Sequence, residues 1–105
     1  MLYVARNRLK ESVTGAQLGE VNRLIDAEAI PAIEKVEGVR SVRVYNSING
    51  DLTFVLEIQD MATVDRILAD PGTKAGMARL FDLTVRIGGE VLYDRPAWQG
   101  LYGRG

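Results

Sequence analysis

Residues 39–59 decide the fold, and they read VRSVRVYNSINGDLTFVLEIQ. Side chains alternate in character along two runs, Val39–Asn46 and Leu52–Gln59, and a period of two is typical of β-strands. One side of the resulting hairpin is entirely apolar and suits a core, whereas the other side, called here the mixed face, combines polar and apolar groups. The apolar side consists of Val42, Val44, Leu52, Phe54, Leu56 and Ile58, and the mixed face of Ser41, Arg43, Tyr45, Thr53, Val55, Glu57 and Gln59.

The loop between the two runs allows two registers. A two-residue turn at Asn49-Gly50 would place Val42 opposite Glu57, whereas a three-residue loop that also includes Ile48 places Val42 opposite Leu56. The second register gathers the apolar residues on one side. Because burial of one face fixes a strand register, we predict the three-residue loop.

The residues before the hairpin predict a strand and a long, interrupted helix. Leu2–Arg8 is rich in aromatic and β-branched residues and is typical of a strand. Thr14 followed by Gln17 has the form of a capping box, which begins a helix. Pro31 removes a backbone donor, so we expect a kink or break near residues 27–30, and Gly38 is a plausible end. The helix has one apolar stripe, formed by Leu18, Val21, Ile25, Ala29, Ile33 and Val36.

The residues after the hairpin predict two short helices and a last strand. Asp60 can cap the first helix, which the turn at 70–72 ends, and Thr73 can begin the second. Two endings remain open. The second helix continues to about Leu83 and a strand follows from Gly89 to Asp94, or residues 83–87 and 90–94 form a hairpin about Gly88-Gly89. The helical spacing of residues 77, 80, 81 and 84 favours the first.

This order of elements predicts an α+β protein with the ferredoxin-like βαββαβ arrangement and a four-stranded antiparallel sheet. Residues 30–45, IPAIEKVEGVRSVRVY, resemble a recurring stretch of the dimeric α/β-barrel superfamily, in which a helix with an internal proline ends at glycine and leads into a strand. Residues 60–71 also resemble that superfamily's second helix. The resemblance implies a homodimer in which two such sheets pair into a dimeric α/β barrel, with helices outside. We assign residues 1–94 to this domain and 95–105 to a C-terminal tail.

Composition narrows the possible functions. The chain has neither Cys nor His, which excludes thiolate and imidazole chemistry, removes the usual metal and haem ligands, and leads us to predict no cofactor and no metal site. Thirteen basic and fourteen acidic residues give a net charge of −1, which argues against nucleic-acid or anionic-membrane partners. No signal peptide or membrane-spanning run is evident, so a cytoplasmic location is expected.

Five residues are candidate ligand-binding groups. If Leu2 and Val4 faced the helices, Tyr3 and Asn7 would join Arg43, Tyr45 and Glu57 in a mixed polar and apolar cavity between the sheets. In that cavity Arg43 could bind a carboxylate, Tyr45 or Asn7 could orient a carbonyl, and Glu57 is the candidate catalytic base. In the structural interpretation, Arg43 and Glu57 form a cross-strand or cross-dimer ion pair. Trp98, Tyr93 and Tyr102 of the C-terminal region either close the cavity or pack on the surface.

Three functions fit these observations. The first is a homodimeric small-molecule-binding protein. The second, which the resemblance implies, is a cofactor-free monooxygenase or isomerase that acts on an aromatic or lactone substrate. The third is a structural dimerisation module. The sequence alone does not decide whether the chain is an enzyme.

Overall fold

A computed structural model describes residues 1–95 and contains one four-stranded antiparallel sheet in the order β2-β3-β1-β4. The predicted ferredoxin-like α+β fold is confirmed. The strands are β1 (Leu2–Leu9), β2 (Val39–Asn46), β3 (Leu52–Ile58) and β4 (Thr84–Leu92); the helices are α1 (Leu18–Leu24), α2 (Ile30–Glu34), α3 (Met61–Ala69) and α4 (Pro71–Leu83), with a 3-10 turn (Gly15–Gln17) before α1 and a π-helical turn (Ile25–Ala29) between α1 and α2.

The central hairpin has the predicted register. Val42 lies opposite Leu56 and Val44 opposite Phe54, as the three-residue loop requires. Gly50 has a φ of 90°, the left-handed conformation that a glycine in this loop adopts without strain. Burial of the apolar side of both strands therefore selected the register.

The first helical segment is interrupted where Pro31 predicts it. The π-helical turn lies immediately before Pro31, and Ile30 N–H donates to the carbonyl of Ile25 five residues earlier. A proline ring clashes with the carbonyl four residues before it, and a widened turn relieves that clash. Gly38 follows the segment with a φ of 95°, and a Cβ there would collide with the side chain of Thr63.

Both later helices begin at an aspartate. Asp60 accepts a hydrogen bond from the backbone N–H of Thr63 at 3.0 Å, as predicted. Asp70 accepts one from the backbone N–H of Thr73 at 2.7 Å and is the N-cap of α4. The prediction that Thr73 begins this helix is therefore wrong: the helix begins two residues earlier, at Pro71, and proline is well suited to the first position of a helix.

The last strand is longer than predicted. Helix α4 ends at Leu83 as expected, but β4 begins at Thr84 rather than Gly89 and continues straight through Gly88-Gly89. The alternative of a hairpin about these glycines is wrong. Residues 84–92 pair with β1 along its whole length, apart from one irregularity in register opposite Arg6 and Asn7.

The helical segments pack on the apolar side of the sheet and form the core with it. Residues of β1 and β4 extend the mixed face, which carries in addition Leu2, Val4, Arg6, Arg8, Val85, Ile87, Glu90 and Leu92. Among the described residues, no helix is long and apolar enough to cross a membrane. Trp98 and Tyr102, whose possible role as a lid the sequence suggested, lie outside the described residues.

Candidate functional site

A pocket lies between the sheet and helices α3 and α4. It contains about 550 Å³ of space free of protein atoms, including its open mouth. Concave sites with mainly apolar walls and a few polar groups are typical of small-molecule binding. The wall is formed by Tyr3, Ala5, Ile33, Phe54, Leu56, Ile67, Leu68, Thr73, Lys74, Met77, Phe81 and Arg86.

The prediction that Tyr3 and Asn7 lie on the mixed face is wrong. Tyr3 pairs with Leu56 and Asn7 with Leu52, so both side chains are on the side that the helices cover. Leu2 and Val4 take the mixed face instead. The signal that could have placed them is Arg6, because it has the same parity as Leu2 and Val4 and a guanidinium is rarely buried in a core.

Arg86 is the polar group that links the pocket wall to the buried strand β1. It lines the pocket, and its Nε donates a hydrogen bond to Oδ1 of Asn7 at 3.0 Å. Because a guanidinium only donates, this bond fixes the orientation of the Asn7 amide. Nδ2 of Asn7 is then buried without an acceptor among the described residues, in a side chain that is only 1% exposed.

The charged side chains that line the pocket are all cationic. Lys74 and Arg86 are cationic, and no acidic side chain is among the described residues that line the wall. The sheet and α4 each contribute one of these cations, and the aromatic rings of Tyr3, Phe54 and Phe81 line the same pocket. This arrangement can hold an apolar body by contact with the rings and an anionic group by charge-assisted hydrogen bonds.

Sequence reasoning missed Arg86, Lys74 and Phe81 as site residues. Residue 86 lay in a region that the preferred prediction left between a helix and a strand, so its side was not assigned. A strand beginning at Thr84 gives Arg86 the same parity as Thr84, whose hydroxyl donates to the carbonyl of Leu80 beneath the sheet. That parity is the signal that would have found it.

The other three predicted site residues lie apart from the pocket, on the mixed face. Arg43 is opposite Val55, Glu57 is opposite Ser41, and Tyr45 is half exposed. The intrachain version of the predicted ion pair is absent, since Arg43 and Glu57 form no salt bridge with each other within residues 1–95. Their assignment to a ligand site stays a prediction.

A second electrostatic contact fixes β1 to the central hairpin. Nε and Nη2 of Arg8 donate to the two carboxylate oxygens of Asp51 at 3.0 and 3.2 Å. These hydrogen bonds hold the pKa of Asp51 below its ordinary value. The contact is structural, because it ties the hairpin loop to the neighbouring strand.

The comparison with solved structures identifies the fold. No family model and no curated protein matches the sequence. Among solved structures, SnoaB from Streptomyces nogalater, a cofactor-independent oxygenase, superposes with a TM-score of 0.68 at 14% identity, over 89% of this chain and 92% of that one. An antibiotic biosynthesis monooxygenase gives 0.64 at 18% identity, over 90% and 97%.

A third similar structure is a dimeric protein of unknown function with a ferredoxin-like fold from Bacteroides fragilis. Its TM-score is 0.67 at 18% identity, over 89% of this chain and 93% of that one. At such identities the likeness shows a shared fold. The resemblance found in residues 30–45 is confirmed at that level, and the chain has the ferredoxin-like α+β fold of the antibiotic biosynthesis monooxygenases and related dimeric proteins.

Proposed function

We propose that the protein is a homodimer that binds a small anionic molecule with an apolar, aromatic body in the pocket between its helices and sheet. The observation that carries the proposal is the composition of the wall: three aromatic rings, two cations, and no acidic side chain among its described residues. An anion in such a pocket gains charge-assisted hydrogen bonds, whereas a cation would gain none.

Arg86 is the residue that orients the ligand. Its Nε is occupied by Asn7, which leaves the two terminal nitrogens of the guanidinium for a carboxylate, phenolate or enolate oxygen. Lys74 adds a mobile positive charge on the pocket wall. The ligand therefore places its charged end beside β4 and its ring beside Phe54 and Phe81.

The homodimer is supported by the exposed apolar groups of the mixed face. Tyr45 and Val85 are each 51% exposed on that face, and Leu92 is 43% exposed. Large apolar patches with a polar surround are typical of interaction surfaces. A dimeric structural neighbour and the superfamily resemblance both point to a second copy of the chain as the partner.

A cofactor-free oxygenase is the second candidate function. It is favoured by the fold shared with a cofactor-independent oxygenase and by a pocket that suits an electron-rich phenolate or enolate. Glu57, the predicted base, lies on the mixed face and away from this pocket. Glu57 could act as a base only in a site between the mixed faces of two sheets. The variant Glu57→Gln therefore distinguishes a reaction at the mixed face from one in the pocket.

The test compares matched anionic and neutral probes by isothermal titration calorimetry. We expect 2-naphthoate to bind at least about tenfold more tightly than 2-naphthalenemethanol, since one hydrogen bond to a charged group contributes about 1.5 kcal/mol or more. Arg86→Met should remove that preference, whereas the control Arg79→Met should keep it. Equal affinities for both probes, or a preference that survives Arg86→Met, would disprove the proposal.

Oxygen uptake with 2-naphthol and related electron-rich phenols separates a binder from an oxygenase. Uptake that is lost in Arg86→Met and kept in Glu57→Gln would assign the reaction to the pocket. Uptake lost only in Glu57→Gln would move the reaction to the mixed face. Naphthoate binding without uptake of oxygen by any of the phenols would support the binding function alone.

A further inference from the structure

Three charged residues of the mixed face, Arg6, Arg8 and Glu90, take part in ion pairs. Nη1 of Arg6 lies 2.9 Å from Oε1 of Glu90, and Arg8 pairs with Asp51 of the hairpin loop. Arg43 and Glu57 are outside these pairs: each is exposed, and neither takes part in a salt bridge of the described residues. They carry opposite charges on adjacent strands.

The register gives their relative position. Arg43 lies opposite Val55, two residues before Glu57 on β3, so the two are diagonal neighbours at a Cα separation of roughly 7–8 Å. Glu57 lies near one end of the β2-β3 ladder, and Arg43 lies at its middle. Tyr45 and Leu2 lie beside them on the same face, both large and partly exposed.

The mixed face is smaller in flat projection than the area that one partner buries in a standard interface. Four strands spaced by about 4.8 Å, each with about seven residues at 3.3 Å, cover roughly 450 Å² in flat projection, and side-chain relief raises the accessible area further. Standard interfaces bury about 800 Å² per partner, so a dimer on this face must cover most of it. Arg43 and Glu57 would therefore be largely removed from water.

Burial makes pairing necessary. An ion that leaves water without a counter-charge loses several kcal/mol, so a face that carries Arg43 and Glu57 can be buried only if each finds a partner. In a two-fold dimer the same patch meets itself: if residue 43 of one protomer contacts residue 57 of the other, the reverse contact also forms. Arg43 and Glu57 supply one cation and one anion per copy to two such reciprocal contacts.

We propose that Arg43 of each protomer pairs with Glu57 of the partner subunit across a two-fold axis, and that this reciprocal pair sets the register of the two sheets. The inference rests on the homodimer of the proposed function and names the two charged residues that align its interface. It concerns the face opposite to the ligand pocket, so ligand binding within a protomer is measured independently of it.

The experiment uses the full chain and two single charge reversals, Arg43→Glu and Glu57→Arg. Each homodimer then places like charges against each other twice, and we expect its dissociation constant in sedimentation velocity to rise at least about tenfold. Mixing the two variants restores both pairs, because one protomer is then acidic and the other basic at these positions. Native mass spectrometry resolves the species by mass, and we expect heterodimers to exceed their statistical proportion.

A matched control changes the same charges on the helical side. Glu34→Arg and Lys35→Glu alter exposed residues at the end of α2, and their mixture should give dimers in statistical proportions with an affinity like that of the wild type. Circular dichroism verifies that each variant is folded. The milder pair Arg43→Gln and Glu57→Gln, combined in a double-mutant cycle for dimer affinity, replaces any reversal that does not fold.

Three results would overturn the inference: a wild-type monomer at micromolar concentration, single reversals that dimerise like the wild type, or a mixture of reversals that gives only statistical heterodimers. The last result would mean that Arg43 and Glu57 do not meet across the interface. Titration of the same samples with 2-naphthoate distinguishes these failures from a failure of the pocket, since the pocket needs neither Arg43 nor Glu57.

Discussion

The link between Arg86 and Asn7 is open to a double-mutant cycle on stability. Arg86→Met keeps an unbranched apolar stem of similar shape but removes the donor to Asn7, whose Oδ1 then lacks the bond of 3.0 Å that it accepts from Nε. Asn7→Val replaces a buried amide with an apolar side chain that suits a strand. Combining both leaves an apolar contact with no unpaired polar atom.

The magnitudes follow from burial. Asn7 is 1% exposed, so an unpaired Oδ1 costs about 2 kcal/mol, and Arg86→Met should lower the melting temperature by about 8–16 °C. Asn7→Val relieves the unpaired Nδ2, which is worth about 2 kcal/mol, and loses one hydrogen bond to the exposed Arg86, which is worth about 1 kcal/mol because that guanidinium regains water. We therefore expect Asn7→Val to stabilise the fold by about 1 kcal/mol.

Urea unfolding followed by circular dichroism measures the cycle. The double variant should be about as stable as Asn7→Val alone, which gives a coupling energy of about 2 kcal/mol. Arg79→Met, at a side chain that is 67% exposed, is the control and should change stability by less than about 0.5 kcal/mol. If Arg86→Met is as neutral as this control, or if the two substitutions add independently, the Asn7–Arg86 bond does not hold the pocket's cation.

Two further predictions concern the scaffold. A Cβ at Gly76 would lie 2.8 Å from the carbonyl oxygen of Glu28, so Gly76→Ala should destabilise the protein by about 1–2 kcal/mol in urea unfolding. Gly19 has open space around it, so the control Gly19→Ala should stabilise the protein by about 0.5–1 kcal/mol. Equal effects of the two substitutions would contradict the close contact between the helices at Gly76. Because Arg8 lowers the pKa of Asp51, the stability that this pair contributes is fully present above the ordinary aspartate pKa of 3.8 and is lost as the pH falls through the lowered value. Arg8→Met should therefore destabilise the fold at pH 7 and converge on the wild type in acid; a constant difference across this range would refute the assignment.

The hairpin and the helix ends were predictable because each depends on neighbours in sequence. The alternation of β2 and β3 allowed only one register with a buried apolar side. Asp60 caps α3 through the nearest backbone donors, and Pro31 widens the turn that precedes it. In each case a local hydrogen bond or a local clash determines the outcome, so the residues themselves carry the information.

The faces of β1 and the pocket were not predictable in the same way. Leu2 and Val4 on one side, and Tyr3 and Ala5 on the other, make both parities of β1 apolar enough for a core. The pocket arises where α3 and α4 pass over Phe54 and leave space, and such a gap depends on how helices pack rather than on sequence spacing. A site placed by tertiary packing gives a weak signal in one sequence.

The register irregularity between β1 and β4 connects the two proposals. From Leu2 to Arg6 the two strands pair so that the residue numbers sum to 94, whereas Asn7 pairs with Arg86 and gives 93. Without this extra residue in β4, Asn7 would face Ile87, and Arg86 would lie opposite Arg8 on the mixed face. A bulge of this kind re-aims the side chains beyond it. One inserted residue thus exchanges Arg86 and Ile87 between the two faces of the sheet. Arg86 is placed in the pocket wall, where it is a cation. The mixed face receives the apolar side chain of Ile87 instead of a further positive charge. The proposed ligand binding and the proposed dimerisation therefore depend on the same feature of the backbone.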